Sequence, residues 1–252
     1  MPRQARERSK SGTYHLMLRG INKQNIFEDN EDRQKFIETM GYYKMISNYT
    51  LYGYCLMDNH IHLLIGENDE SISQVIKRIS SSYVYWYNQK YERCGHLFQE
   101  RFKSEVVETD EYFLVVLRYI HQNPVKAGMT KDVRNYLWSS YQEYTGTPSI
   151  TNIDLALDIF SGDRRTAIEP FTSYMNEKTT YECLDYKEKA TLSDKEIIDY
   201  LQKNGIVTIS ELQRYKREER NNVIRKIKAM SGVTIRQLSR ITGISKSVID
   251  RI

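Results

Sequence analysis

Asp58-Asn59-His60-Ile61-His62-Leu63-Leu64-Ile65 places two imidazoles at i and i+2 within an apolar run. As a β-strand, the stretch puts His60, His62 and Leu64 on one face and Ile61, Leu63 and Ile65 on the other. One face can pack and the other can bind. Two histidines side by side on a rigid strand make half of a metal site, because imidazole is a common ligand and the strand fixes both rings. The pair is equally explained as strand histidines with structural hydrogen bonds, so partners have to be sought elsewhere in the chain.

Working outward, Asn48 to Leu56 is rich in Tyr and Thr and predicts a strand that turns at Asp58-Asn59 into the histidine strand, forming a hairpin. Upstream, residues 13–20 (TYHLMLRG) predict a first strand ending at glycine. A helix follows from about Asp29 to Ser47, with Phe36, Ile37, Met40, Tyr43 and Met45 as its apolar side. Downstream, a helix from Ser71 to about Lys90 carries Ile72, Val75, Ile76, Ile79, Tyr83, Trp86 and Tyr87 at helical spacing. That stripe reads as core before it reads as a base-stacking platform.

His96 to Val107 predicts a further strand, alternating Phe98, Glu100 and Phe102 against Gln99, Arg101 and Lys103. The second set is either a phosphate-binding face or an ordinary solvated one. Thr109 caps a helix from Asp110 to Asn123, ended by Pro124, with Gly128 in the loop beyond. Trp138, Tyr141 and Tyr144 are expected to close the core. The order βαββαβα gives an α+β class: an antiparallel, ferredoxin-like sheet covered by helices. That fold hosts many activities, so it decides nothing about function by itself.

At 252 residues, with 40% hydrophobic and 28% charged side chains, the chain has the composition of a soluble globular protein. Its apolar runs are too short to span a bilayer, and no apolar stretch follows the basic N-terminus. Cys55, Cys94 and Cys183 are odd in number and widely spaced, which suggests neither a disulfide framework nor a thiolate zinc site. A cytoplasmic, reducing setting is expected. The net charge of +4 is unevenly spread: residues 1–10 carry a net +3 and residues 203–252 a net +8. Basic ends are what a polyanion binder shows, and also what a solvated helical surface shows.

The rest of the candidate site is expected on the last helix of the core. Tyr119 and Asn123 are four residues apart and project from one face. Tyr112 lies on nearly the same face but has Val116 at the i+4 position. The plainer alternative is that Tyr119 packs under the helix while Asn123 ends it before proline. His15, on the first strand, is read first as a structural histidine and second as a partner to the histidine strand. His121 points about 200° around the helix from Tyr119 and is left out of the candidate set.

Three separated motifs together carry a resemblance: His15-Leu16-Met17-Leu18-Arg19-Gly20 followed by Asn25-Ile26-Phe27, then residues 58–64, then Arg118-Tyr119-Ile120-His121-Gln122-Asn123-Pro124-Val125-Lys126-Ala127-Gly128. Over roughly residues 10 to 145 the chain resembles the HUH single-tyrosine transposases, and most nearly the REP-associated tyrosine transposases. The resemblance implies strand transfer on single-stranded DNA near hairpins, with Tyr119 as nucleophile and a 5′-phosphotyrosine intermediate. It implies His60 and His62 as metal ligands, with Asn123 where the family places an amide ligand. Insertion-sequence relatives have glutamine there, one methylene longer.

Two imidazoles alone would suit zinc, whereas the family resemblance favours Mg²⁺ or Mn²⁺. Arg19, Gln99, Arg101 and Lys103 are the expected DNA contacts near the site. The partner implied is single-stranded DNA with a hairpin, met by a monomer or a homodimer. A non-enzymatic DNA-binding regulator derived from such a transposase is the alternative, and a relaxase or replication initiator a third reading.

The catalytic domain is expected to span 1–148, followed by a helical connector, 149–190, and a basic helical domain, 191–252. Within the connector, residues 152–160 and 170–181 predict short helices. Ser193 to Glu196 and Thr234 to Gln237 predict capping boxes. Ile235 to Ile241, a turn at Thr242-Gly243, and Ser245 to Ile252 resemble a helix-turn-helix, with Lys246 and Arg251 available for DNA. A helical bundle bracing the catalytic domain is the alternative.

Overall fold

A computed structural model describes residues 6–178, 181, 183–185, 192–206, 208–230 and 232–252. Arg3 of the basic N-terminus, residues 179–180 of the second predicted connector helix, and residues 186–190 of the expected connector lie outside the described residues. The chain forms two compact units, Met1–Asp185 and Tyr186–Ile252.

The first unit begins with β1 (Thr13–Arg19), α1 (Asn30–Ser47), β2 (Thr50–Met57), β3 (His60–Gly66), α2 (Ile72–Lys90), β4 (Lys103–Val106) and α3 (Asp110–Lys126). This is the expected βαββαβα order. The strands form one antiparallel sheet, β2-β3-β1-β4, in which β3 separates β1 from β2. Alternation along the strands divides the core in two. Leu16, Leu18, Ile61, Leu63 and Ile65 pack under α1 and α2, while Cys55, Met57 and Leu64 pack under α3 with Leu117 and Ile120. The two faces of the histidine strand therefore separate as its alternation predicts, and the imidazoles lie on the α3 side. Met45, expected on the buried side of α1, is exposed; nine residues after Phe36, it sits half a turn round the helix.

The strand expected from 96 to 107 is shorter than its alternation suggests. Gly20 bridges Phe98, and Met17 pairs with Lys103, so residues 18–19 of β1 face residues 99–102. Two extra residues bulge from the edge, which breaks the alternation before Lys103 rejoins the ladder. Nor does Pro124 end α3. It leaves the Ile120 carbonyl without its usual donor, yet Ala127 N–H donates to Asn123 O at 2.9 Å and Met129 N–H to Pro124 O at 2.9 Å. The helix continues to Lys126, and Gly128 closes it at φ 71°.

The expected boundary near residue 149 moves to the end of the first unit. α4 (Tyr141–Thr145), α5 (Asp154–Asp158) and α6 (Arg164–Asn176) follow α3. From the stretch expected as a connector, Ile153, Leu157, Ala167, Phe171, Met175 and Cys183 are buried in the same core as α3, alongside Tyr141 and Tyr144. Their apolar spacing serves this core, so the segment is part of the first unit. Trp138 packs partly buried against both cores.

The second unit contains α7 (Asp194–Lys203), α8 (Ile209–Arg214), α9 (Arg217–Lys228), α10 (Ile235–Thr242) and α11 (Lys246–Arg251) around Ile197, Leu201, Ile224, Ile227, Leu238, Ile241 and Ile249. Ser193 and Glu196 form the expected reciprocal capping box. Thr234 caps α10, but the Gln237 amide donates to Leu192 O at 2.6 Å and Asp194 Oδ1 at 3.0 Å instead of returning to Thr234. Gly243, at φ 69°, turns α10 into α11.

Candidate active site

Register places the site's side chains in rows across the α3 face of the sheet. His60 pairs with Arg19; His62 pairs with Met17, which pairs with Lys103; Leu64 pairs with His15, which pairs with Glu105. Directly paired residues of an antiparallel sheet share a face, so both histidines of β3, Arg19, Lys103, His15 and Glu105 belong to one surface. α3 crosses it closely: a Cβ on Gly53 of β2 would lie 2.6 Å from Leu117 Cδ1. That approach brings Tyr119, one turn beyond Val115, over the histidines. Its ring centroid lies 5.7 Å from that of His62 and 5.9 Å from that of His15. The His60 and His62 rings are 5.1 Å apart and nearly perpendicular.

Hydrogen bonds commit the inner nitrogens of both rings. His60 Nδ1 meets Asn59 Oδ1 at 2.7 Å, and Asn59 Nδ2 donates to Lys23 O at 3.3 Å, which fixes the amide oxygen toward the imidazole. His60 therefore donates through Nδ1 and keeps the Nε2 lone pair. His62 Nδ1 meets His15 Nε2 at 3.0 Å, and His62 Nε2 is buried without a protein partner. Burial pushes His62 well below the usual imidazole range and His60 down to about 4, so both rings are neutral at physiological pH. A neutral imidazole with a free Nε2 lone pair is the form that binds a cation. Among the described residues, no three His, Cys, Asp or Glu side chains form a ready metal cage; His60 and His62 are the imidazoles on this face whose Nε2 lone pairs stay uncommitted.

Tyr119 is buried. Burial and the Asp185 carboxylate, which accepts from its hydroxyl at 3.2 Å, push its ionisation up, while the Asn123 amide acts in the opposite direction. Asn123 Nδ2 donates to Tyr119 O at 3.1 Å, which holds the amide against its own helix. Lys126, two turns along α3, places Nζ 4.6 Å from the centroid of the Tyr119 ring. Burial lowers the Lys126 pKa. Tyr112 lies beside Glu105 and Cys183, where burial and then Glu105 raise its ionisation. His121 faces away into the core, with Nε2 2.9 Å from Ser140 Oγ and rings of Tyr141 and Tyr144 about it.

His60, His62 and Tyr119 thus meet on one face, with Arg19 in the row of His60, while Asn123 stands one turn beyond Tyr119 with its amide held against the helix. Gln99, Arg101 and Lys103 line a groove of about 1070 Å³ at the sheet edge with Arg6 and Leu184. Lys246 and Arg251 lie on α11 in the second unit. Glu105, Asp185 and Lys126 were absent from the sequence-derived set. Lys126 carried a signal, seven residues from Tyr119 on the same helix face. Glu105 became visible only through strand register, and Asp185 only through the fold of the chain beyond α6.

Residues 8–123 match the family model described as "Transposase IS200 like". This part of the chain, from before β1 to Asn123, is therefore similar to the IS200-like transposases. Within that class the likeness is to REP-associated tyrosine transposases. A Haemophilus influenzae protein described by that name is 27% identical over 124 residues, which cover 44% of this chain and 68% of the relative. A solved structure of a REP-associated tyrosine transposase bound to a REP hairpin superposes with a TM-score of 0.52 at 18% identity, covering 65% of this chain and 93% of that one. At that identity the match speaks for the fold. Among the described residues, no helix is long and apolar enough to cross a membrane.

Proposed function

We propose that this chain is a metal-dependent transposase or endonuclease of single-stranded DNA that cleaves and rejoins strands near hairpins through Tyr119. The observation that carries this reading is the juxtaposition of the Tyr119 ring, 5.7 Å from His62, with a buried, unpartnered His62 Nε2. The Nε2 atoms of His60 and His62 would hold a divalent cation, Mg²⁺ or Mn²⁺, with the Asn123 oxygen as the third protein donor. When bound there, such a cation would supply Lewis-acid neutralisation of the charge that develops on the phosphate.

This chain's residues supply the rest. The Tyr119 oxygen attacks phosphorus, the bond from phosphorus to the departing 3′ oxygen breaks, and that oxygen takes up a proton as a free 3′-hydroxyl. The 5′-phosphotyrosine conserves the phosphodiester energy, so a second 3′-hydroxyl can displace the tyrosine and rejoin a strand. The Lys126 ammonium over the ring favours the phenolate that this attack needs, against the opposing charge of Asp185. Arg19, Gln99, Arg101 and Lys103 would hold backbone phosphates along the sheet edge. Lys246 and Arg251 would add contacts from the second unit, with α10 and α11 acting as a helix-turn-helix.

Incubation with labelled single-stranded hairpin oligonucleotides and Mn²⁺, Mg²⁺ or EDTA, followed by a denaturing gel, tests the reading. A metal-dependent protein–DNA adduct that disappears in Tyr119→Phe is expected. An adduct that survives the substitution would move the nucleophile, to Tyr112 first, and DNA binding without any adduct would favour a regulator.

A further inference from the structure

We infer that Glu105 and His15 act together as a relay that fixes the protonation pattern of His62, holding its Nε2 lone pair toward the cation site; the inference rests on the proposed metal role of His62. His15 is fully buried and stands between two groups. Its Nε2 lies 3.0 Å from His62 Nδ1, and its Nδ1 faces Glu105 Oε2 at 3.6 Å. The second distance is longer than a hydrogen bond and leaves His15 Nδ1 without a hydrogen-bond partner, so the carboxylate acts on the ring through its charge. A lone pair on Nδ1 would point at a carboxylate oxygen and be repelled, whereas an N–H there is attracted. With the proton on Nδ1, His15 Nε2 becomes an acceptor. His62 Nδ1 must then donate to it, and the His62 lone pair is left on Nε2, the buried atom without a protein partner.

The opposite pattern would need a lone pair against Glu105 and would place an N–H where the cation has to bind. Two such patterns are all that a neutral imidazole pair with one shared hydrogen bond can adopt, so the carboxylate at the sheet edge decides between them. Glu105 is itself held, accepting from Leu184 N–H at 3.1 Å. It is a positioning residue two groups removed from the cation, and its register with His15 on β1 places it there. Partners of this kind are worth about ten- to a hundredfold in metal affinity where they have been removed from other sites.

Long-range proton–nitrogen NMR of the metal-free full chain reads the pattern directly. The expected result is that His15 and His62 both carry their proton on Nδ1, and that Glu105→Ala populates the reversed pattern at both rings. Mn²⁺ affinity, followed by electron paramagnetic resonance, should fall about ten- to a hundredfold in Glu105→Ala and in His15→Leu. His15→Gln, whose amide oxygen can still accept from His62 Nδ1, should stay within a few-fold of the unsubstituted protein. Glu105 lies at the sheet edge with 34% of its side chain exposed, so Glu105→Ala keeps the test open should His15→Leu not fold. A His62 proton found on Nε2 in the unsubstituted protein would overturn the relay, as would a pattern and Mn²⁺ affinity indifferent to Glu105. The expected pattern with no Mn²⁺ binding would support the relay and sink the metal-site reading instead.

Discussion

The Tyr119 hydroxyl donates to Asp185 Oδ2 across 66 residues of sequence, so the proposed nucleophile shares its proton with a carboxylate from beyond α6. A negative charge beside a phenol disfavours the phenolate, and burial acts the same way. Asp185→Asn removes the charge and keeps a hydrogen-bonding group. Tyr119 should then ionise at lower pH, followed through its ring-carbon NMR shift and assigned with Tyr119→Phe. An unchanged or higher titration midpoint would show that Asp185 does not govern this hydroxyl.

Lys126 acts with the opposite sign. Its ammonium lies 4.6 Å from the Tyr119 ring centroid, and a cation so placed favours both the phenolate and the phosphotyrosine that replaces it. Lys126→Met should slow adduct formation on hairpin DNA about tenfold, the equivalent of roughly 1.4 kcal/mol. Lys126→Arg should recover most of the rate. Equal rates in all three proteins would remove Lys126 from the mechanism.

Gly53 explains why α3 can bring Tyr119 so near the sheet. A methyl at this position would sit 2.6 Å from Leu117 Cδ1, in a core where little can yield. Gly53→Ala should cost about 1–3 kcal/mol, seen as a lower urea midpoint at an unchanged slope. The displaced helix should also reduce adduct formation. Full stability in Gly53→Ala would mean that α3 is free to shift on the sheet.

Those three residues also show how far the sequence could be read. The His60/His62 alternation predicted the face that both imidazoles share because a strand has a strict period of two, and Tyr119 with Asn123 on one side of α3 followed from the helical period. Lys126 lay within the same reasoning, one step further along the helix. Glu105 did not, because cross-strand register depends on the whole ladder and on the two-residue bulge that displaces residues 99–102. The same bulge is why the 96–107 alternation overstated the strand. Asp185 had no local signal at all. Residues 152–160 and 170–181 predicted short helices, but nothing local tied them to the core under α3, so a segment that completes the first unit resembled a connector.

Stability should fall in mild acid. Burial pushes His121 from an ordinary 6.5 down to about 3, so between those values the unfolded chain binds a proton that the folded chain refuses. Its contribution is therefore complete above about pH 6.5 and lost progressively toward pH 3, at up to about 1.4 kcal/mol per pH unit. His62 and His15, also lowered by burial, add in the same direction. Urea unfolding at pH 7 and pH 5 should show the loss. His121→Gln, which can still reach Ser140, should flatten the pH dependence. A slope no shallower in that variant would mean that His121 is protonated without unfolding.

Lys246 and Arg251 test the second unit separately from the chemistry. Both lie on α11, after the left-handed Gly243 that turns α10 into it, and Arg251 Nε donates to Ser247 O at 2.9 Å. Side chains that contact phosphates contribute through released counterions, so each should carry about one unit of the salt dependence of binding. Lys246→Ala with Arg251→Ala should weaken hairpin binding and reduce the slope of log affinity against log salt by about two. Adduct formation at saturating DNA should stay near that of the unsubstituted protein, because neither residue belongs to the Tyr119 site. A loss of adduct at saturation would tie α11 to strand cleavage, and an unchanged salt slope would leave this helix without a role in holding DNA.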